Sequence, residues 1–184
     1  ATVVAVGSGL GQSEWSRALF KRAMDSGLPM VMDADALNLL AERPSELPNA
    51  ILTPHPKEAA RMLGASAVSR DRLEVLRALQ DRYQSVVVLK GAATLVHDGK
   101  RALINQTGAP AMATAGMGDA LTGCIAGLVA QGLALGQAAA QGVAHHGRAG
   151  EWASSDLGEV AVLASDVIAR LGRSFRGDAY APFP

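Results

Sequence analysis

A glycine-rich segment that leads straight into an apolar helix is the strongest chemical feature of the sequence. Residues 113–119 read ATAGMGD, and the apolar positions Leu121, Ile125 and Leu128 follow at helical spacing. Glycines before a helix let successive backbone N–H groups converge on one point, where they add to the positive end of the helix dipole. The segment is therefore predicted to bind an anion whose charge grows in the transition state.

Asp119 ends this segment. A carboxylate beside an anion pocket makes chemical sense if it accepts a proton from an attacking hydroxyl, as in other phosphoryl transfers. The competing interpretation is that Asp119 only occupies a first helical turn, where carboxylates are common. The local pattern favours the two interpretations equally.

Two further segments carry candidate side chains. Pro54 and Pro56 keep Thr53 and His55 out of the α region and present the imidazole stiffly at a predicted helix N-cap; the alternative is a purely structural histidine. The segment Lys90-Gly-Ala-Ala-Thr94 offers a cation, a flexible backbone and a hydroxyl to the phosphates or ribose of a nucleotide. A plain turn would explain Lys90–Thr94 as well.

Other suggestive residues point less clearly to chemistry. The loop Gly7–Gly11 resembles a dinucleotide fingerprint, but Gln12 stands where the third glycine is required. It is either a site of close ligand approach or a tight turn. Asp35 is expected to cap a helix, and Asp33 to hold a metal-bound water. His145 and His146 point about 100° apart on a helix, so packing explains them better than a metal site.

The composition excludes several classes of protein. Lys plus Arg (17) equals Asp plus Glu (17), so no bulk charge indicates nucleic acid or an anionic membrane. A single cysteine, Cys124, excludes an internal disulfide framework and favours the reducing cytoplasm. No apolar run is long enough to span a bilayer. No cluster of ligands predicts a metal site in the chain.

Short apolar strands alternate with helices along most of the sequence, which predicts an α/β sheet, mostly parallel and covered on both faces. The candidate loops each follow a strand, at the edge where such sheets bind ligands. The predicted strands cover residues 2–6, 30–33, 51–53, 86–90, 94–96 and 102–104; the predicted helices cover residues 13–27, 35–41, 58–63, 71–83, 118–131, 136–153 and 158–171.

One domain is expected over residues 1–173, followed by a C-terminal tail over residues 174–184. The chain opens inside an apolar run, Thr2–Val6, without an initial methionine. We therefore expect residues 1–173 to be the C-terminal portion of a longer domain.

These motifs, in this order, resemble the NAD(P)H-hydrate dehydratase family of the ribokinase-like superfamily. The resemblance covers about residues 2–170, and it rests on the stretches VVAVGSGLGQ, DADALNLL, ILTPHPKEAARMLG, VVVLKGAATLV, AGMGDALTGCIAGLVAQG and GVAHHGRAGEWA. It implies a three-layer α/β/α ribokinase-like fold, here lacking its N-terminal part.

The resemblance also implies an activity. Such enzymes phosphorylate the ring hydroxyl of hydrated NADH or NADPH from ADP or ATP with Mg²⁺, and then eliminate phosphate; the pattern favours ADP. Asp119 resembles the catalytic base and, with Gly9 and His55, the positions that hold the hydrate. The positions that resemble the nucleotide site are Lys90, Gly91, Ala92, Ala93, Thr94, Gly116, Met117 and Gly118. A homo-oligomer and an upstream epimerase domain are further expectations.

The chain departs from the family pattern at Lys57, Ala93 and Ala115, where the family has glycine, and at Ala109, where it has asparagine. Each lost glycine restricts the backbone, so a changed anion hole and a changed nucleotide affinity are expected. Two alternatives remain at this point: a vitamin-precursor kinase of the same superfamily, and a non-catalytic module that binds adenine nucleotides.

Overall fold

The structure is a computed structural model that describes residues 1–65 and 69–176. The strands are β1 (Val4–Val6), β2 (Met30–Met32), β3 (Ala50–Leu52), β4 (Val86–Leu89), β5 (Leu95–His97) and β6 (Ala102–Ile104). The helices are α1 (Glu14–Met24), α2 (Ala34–Glu42), α3 (Pro56–Met62), α4 (Arg72–Tyr83), α5 (Met117–Ala130), α6 (Leu135–Leu157) and α7 (Ala164–Phe175).

All six strands form one sheet in the order of the sequence. Strands β1 to β4 are parallel, whereas β5 pairs antiparallel with β4 on one side and with β6 on the other. The prediction of a mostly parallel sheet is confirmed. Because the carboxyl ends of β1 to β4 share one edge, the four loops that follow them meet there.

The two faces of the sheet bury different helices. Side chains alternate along each strand, so Met32 and Leu52 point to one face while Val31 and Ile51 point to the other. Residues of α1 to α4 pack with Met32 and Leu52, and residues of α5 and α6 pack with Val31 and Ile51. The predicted three-layer α/β/α arrangement is confirmed.

Helix α7 differs from its predicted range of 158–171. Gly158 has φ +83 and ends α6, and a loop follows it. Helix α7 begins only after Leu163, whose backbone N–H donates to the Asp166 carboxylate at 2.8 Å. The helix continues to Phe175, into the segment assigned to the tail, and residues 177–184 of that tail lie outside the described residues.

The start of helix α2 also differs from the prediction. Asp33, not Asp35, is the residue before the helix, and Ala34 adopts φ +47. Asp35 instead accepts the backbone N–H of Gly11 at 2.8 Å and so fastens the loop after β1 to α2. The expected capping role of Asp35 is therefore wrong, because its carboxylate is used between two elements. In the described ranges, no helix is both long and apolar enough to cross a membrane.

Candidate functional site

Asp119 lies in the first turn of α5 and is exposed at the carboxyl edge of the sheet. Its Oδ1 accepts a hydrogen bond from the Ser8 hydroxyl, which follows β1, at 2.5 Å. The carboxylate is thus positioned by a residue far away in sequence and remains open to a ligand. Ser8 was missed by sequence reasoning, because a serine in a glycine-rich loop carries no sign of its partner.

The start of α5 has the geometry expected of an anion site. Gly116 precedes the helix at φ +83, a left-handed conformation that favours glycine. Gly118 lies so close to a pair of charged side chains that a Cβ there would sit 3.1 Å from Asp33 Oδ2 and 3.2 Å from Lys90 Nζ. Ala115, where the family has glycine, does not adopt a positive φ, so this lost glycine leaves the helix start unstrained.

Those charged side chains form a buried ion pair. Lys90 Nζ, at the end of β4, lies 2.5 Å from Asp33 Oδ1, at the end of β2. Thr122 of α5 donates to the other Asp33 oxygen at 3.3 Å, and Glu58 Oε2 lies 4.0 Å from the ammonium. Each Asp33 oxygen thus has a protein partner, and the expected role of Asp33 in holding a metal-bound water stays a prediction.

His55 is the N-cap of α3, as the flanking prolines predicted. Its Nδ1 accepts the backbone N–H groups of Lys57 at 3.1 Å and Glu58 at 3.3 Å. The Glu58 carboxylate accepts the His55 backbone N–H at 2.7 Å in return and lies 3.4 Å from the ring Nε2. Because Nδ1 is an acceptor, a neutral ring carries its proton on Nε2 and is able to donate one hydrogen bond. These reciprocal hydrogen bonds form a capping box at the start of α3. Lys57, where the family has glycine, takes part through its backbone N–H.

The loop after β1 contains two glycines with different surroundings. Gly7 is buried at φ +136, and a Cβ there would lie 1.7 Å from the carbonyl oxygen of Asp33. Gly9 is exposed at φ +66 with open space around it. Gly7 is therefore required by packing, whereas Gly9, the predicted hydrate contact, faces outward at the same sheet edge as Asp119.

A cavity of about 660 Å³ lies beside the start of α5. One wall is the predicted nucleotide segment Lys90–Thr94, with Met117 and Gly118 at its end. Residues of the segment 104–113, among them Ala109, also line the cavity, and the sequence analysis did not select this segment as part of the nucleotide site. The inner surface is largely apolar, with Leu121, Val143 and His146. This volume and lining suit a nucleoside.

The predicted site residues thus divide into two groups. Gly9, His55, Gly116 and Asp119 do not line the cavity, while Lys90, Gly91, Ala92, Ala93, Thr94, Met117 and Gly118 do. Gly118 and Asp119 are consecutive, so the cavity and the exposed carboxylate meet at the start of α5. The arrangement places a proton acceptor on one side of an anion site and an apolar compartment on the other.

The two adjacent histidines of α6 differ in their surroundings: His145 packs against α7, as predicted, whereas His146 lines the cavity. His145 Nδ1 lies 2.7 Å from the Ser174 hydroxyl, and its ring stacks at a tilt on Phe175. Burial lowers the pKa of His146 to about 4, although a backbone hydrogen bond with Met117 works against this shift. Among residues 1–65 and 69–176, no cluster of three His, Cys, Asp or Glu side chains is arranged to hold a metal ion.

Comparison with known proteins identifies relatives of this chain. The family model described as NAD(P)H-hydrate dehydratase matches residues 1–173. A bifunctional NAD(P)H-hydrate repair enzyme of Coxiella burnetii is 49% identical over 174 residues, which are 93% of this chain and 36% of that protein. An ADP-dependent (S)-NAD(P)H-hydrate dehydratase of Neisseria meningitidis is 37% identical over 96% of this chain and 62% of its own length.

A solved structure extends the comparison to the fold. The ADP/ATP-dependent NAD(P)H-hydrate dehydratase of Bacillus subtilis, co-crystallised with ATP and Mg²⁺, superimposes with a TM-score of 0.83 at 29% identity. The match covers 95% of this chain and 64% of that one. The predicted ribokinase-like fold is thereby confirmed. With the family model matched over nearly all of its length, the chain belongs to the NAD(P)H-hydrate dehydratase family.

Proposed function

We propose that this chain carries out ADP-dependent repair of hydrated NADH and NADPH. The ring hydroxyl is phosphorylated from ADP, and elimination of phosphate then restores the reduced nicotinamide and leaves AMP and inorganic phosphate. The observation that carries the proposal is the junction at α5, where the exposed Asp119 carboxylate adjoins the glycine-lined helix start at the mouth of the cavity. The relationship to dehydratases supports the same activity.

Asp119 is the proposed general base. Its carboxylate accepts the proton of the substrate hydroxyl while the hydroxyl oxygen attacks the terminal phosphorus of ADP and the bond to the bridging oxygen of AMP breaks. The backbone N–H groups of Gly116, Met117 and Gly118 face the oxygens on which charge accumulates. The Ser8 hydrogen bond holds the carboxylate in one orientation, so little reorganisation is needed when the hydroxyl arrives.

Lys90 is the proposed source of positive charge at the transferred phosphoryl group. Its ammonium is anchored by Asp33 at 2.5 Å and lies beside the Cα of Gly118. A Cβ at position 118 would lie 3.2 Å from the ammonium nitrogen. The absence of a side chain at Gly118 therefore allows a phosphoryl group to approach the amides and the ammonium together.

The two compartments would then bind the two substrates. Lys90, Gly91, Ala92, Ala93 and Thr94 form the wall of the cavity, and we place the adenine nucleotide there. The exposed residues Gly9 and His55 share the sheet edge with Asp119, and we place the hydrated dinucleotide against them. His55 would donate a hydrogen bond from Nε2, since its Nδ1 is already an acceptor.

Magnesium fits this site as part of the nucleotide complex. Mg²⁺ is commonly held by substrate phosphates and waters with only one or two protein carboxylates. Asp33 and Glu58 are the buried carboxylates within 4.0 Å of the Lys90 ammonium, and Lys90 already engages Asp33. The ion would neutralise charge on the phosphates, while Lys90 and the amides of α5 orient them.

Several properties concern the whole protein rather than this domain. The chain spans 36% of the length of its relative from Coxiella burnetii, which is named a bifunctional repair enzyme. We infer an epimerase domain upstream in the full-length protein and a cytoplasmic location, where NADH and NADPH are used. The exposed apolar residues Leu157, Val160, Leu163 and Ile168 on and before α7 support a homo-oligomer.

A single assay separates this function from its two alternatives. The full-length protein is incubated with hydrated NADH, ADP and Mg²⁺, and recovery of the near-ultraviolet absorbance of reduced nicotinamide is followed. Recovery that depends on ADP supports the dehydratase. Turnover only with a vitamin alcohol would replace it with a precursor kinase, and ADP binding without any turnover would replace it with a nucleotide-binding module.

A further inference from the structure

Arg72 fastens the loop Lys90–Thr94 and is not among the residues that line the cavity. This residue begins α4, and its guanidinium extends to the end of β4. Nη1 donates to the carbonyl oxygens of Ala92 and, at 3.2 Å, of Ala93, and Nη2 donates to that of Leu89 at 3.2 Å. One side chain therefore binds three carbonyls within five consecutive residues.

These contacts determine the direction of two peptide planes. In a trans peptide the C=O of one residue and the N–H of the next point to opposite sides. Because Arg72 draws the carbonyls of Ala92 and Ala93 toward α4, the N–H groups of Ala93 and Thr94 are directed away from α4. Both residues line the cavity on that side. Outside its helices and strands, the described chain offers neither N–H a backbone acceptor, so both are available to a ligand.

Two features indicate that this arrangement is maintained at a cost. Ala93 adopts φ +50, a left-handed conformation that is unfavourable for a residue with a Cβ. Arg72 occupies the first turn of α4, where the helix dipole disfavours a positive charge. The charge-assisted hydrogen bonds of the guanidinium offset both costs. Gly91 leaves room for them, since a Cβ there would lie 3.2 Å from Arg72 Nη2.

We propose that Arg72 is a positioning residue of the nucleotide site. It touches no substrate; it holds the loop so that the N–H groups of Ala93 and Thr94 point at the polyphosphate of the nucleotide, and its charge lies behind them. This inference rests on the proposed nucleotide-binding role of Lys90–Thr94. It assigns a function in that role to a residue far from the loop in sequence and absent from the motifs.

The test compares three variants of the full-length protein. Arg72→Gln removes the positive charge and the guanidinium that donates to the three carbonyl oxygens of the loop. Arg72→Lys keeps the charge, but a single ammonium cannot donate to all three carbonyls as the planar guanidinium does. Arg77→Gln is the matched control, because Arg77 is exposed on the same helix. Each variant is measured for its dissociation constant for ADP by calorimetry, for KM and kcat with ADP, and for its melting temperature without nucleotide.

Arg72→Gln should raise the dissociation constant and the KM for ADP by about tenfold, with kcat changed less than about twofold. Arg72→Lys should give a smaller rise of about threefold, and Arg77→Gln none. If Arg72→Gln does not fold, the inference is tested by Arg72→Lys alone, whose KM for ADP should still rise about threefold. Unchanged ADP affinity in both Arg72 variants would overturn the inference, even if the melting temperature fell. A wild-type protein that binds no ADP would instead overturn the nucleotide site itself.

Discussion

Asp33 and Lys90 form an ion pair, at 2.5 Å, that joins the ends of β2 and β4 beneath the start of helix α5. The Asp33 side chain is 3% exposed and that of Lys90 is 18% exposed. Removing one partner of such a pair leaves an uncompensated buried charge, which is more harmful than removing both.

Asp33→Asn should therefore lower the free energy of unfolding by about 3 kcal/mol, and Lys90→Met should have a comparable effect. The double variant should lose clearly less than the sum of the two. Urea denaturation of all four proteins gives the coupling energy. Strictly additive losses would show that the two side chains do not interact in solution.

Asp119→Asn should abolish recovery of reduced nicotinamide, with a loss of at least about 100-fold in kcat, because the amide cannot accept the hydroxyl proton. Asparagine still accepts the hydrogen bond from Ser8, so the fold and ADP binding should be retained. Kinetics and calorimetry on the same preparation check both statements. Ser8→Ala provides a graded comparison, since it keeps the base but loosens its orientation. Full activity in Asp119→Asn would remove the assignment of the base.

Gly7→Ala and Gly9→Ala should have very different effects on stability. A methyl group at position 7 would collide with the Asp33 carbonyl at 1.7 Å, so this variant should lose about 4 kcal/mol or fail to fold. At position 9 the methyl group has open space, and only the left-handed φ of +66 imposes a cost, of about 1 kcal/mol. Denaturant midpoints of the two variants test the order. Equal losses would contradict the close approach of Gly7 to β2.

Ala93→Gly should be more stable than Ala92→Gly by about 1 kcal/mol. Both changes increase the entropy of the unfolded chain, which is unfavourable for folding. Only Ala93 has φ +50, however, and glycine relieves the strain there. Thermal unfolding without nucleotide measures the difference, and Ala92→Gly serves as the control. If the two variants have the same stability, the left-handed conformation of Ala93 is not strained.

The free energy of unfolding should decrease as the pH is lowered, because His146 is buried in the folded protein. Burial lowers the pKa of His146 in the folded protein to about 4, below its ordinary value of 6.5. The unfolded chain therefore binds the proton first, and stability decreases as the pH falls from above 6.5 towards 4, by about 3 kcal/mol in total. Urea titrations between pH 4 and 7.5 measure the slope. His146→Gln should flatten it, whereas His97→Gln should keep it because His146 is intact.

The succession of strands and loops along the chain was predictable from the sequence, because a strand or a loop is recognised from neighbouring residues. Runs such as Val86–Leu89 read as buried strands, and glycine or proline follows three of the four parallel strands, β1, β3 and β4, within two residues. Asp119 and Lys90–Thr94 were selected for the same reason: a helix start and a strand end are recognised from adjacent residues. The N-cap role of His55 follows from the neighbouring prolines.

What each polar side chain contacts was decided only by the tertiary structure. Ser8 meets Asp119 across 111 positions of sequence, and Asp33 meets Lys90 across 57. Arg72, which no motif marks, orients the loop of Ala92 and Ala93. Hydrogen bonds and ion pairs depend on distances of a few ångströms between segments, and sequence spacing carries no information about such distances once the chain has turned through a sheet and two helical layers.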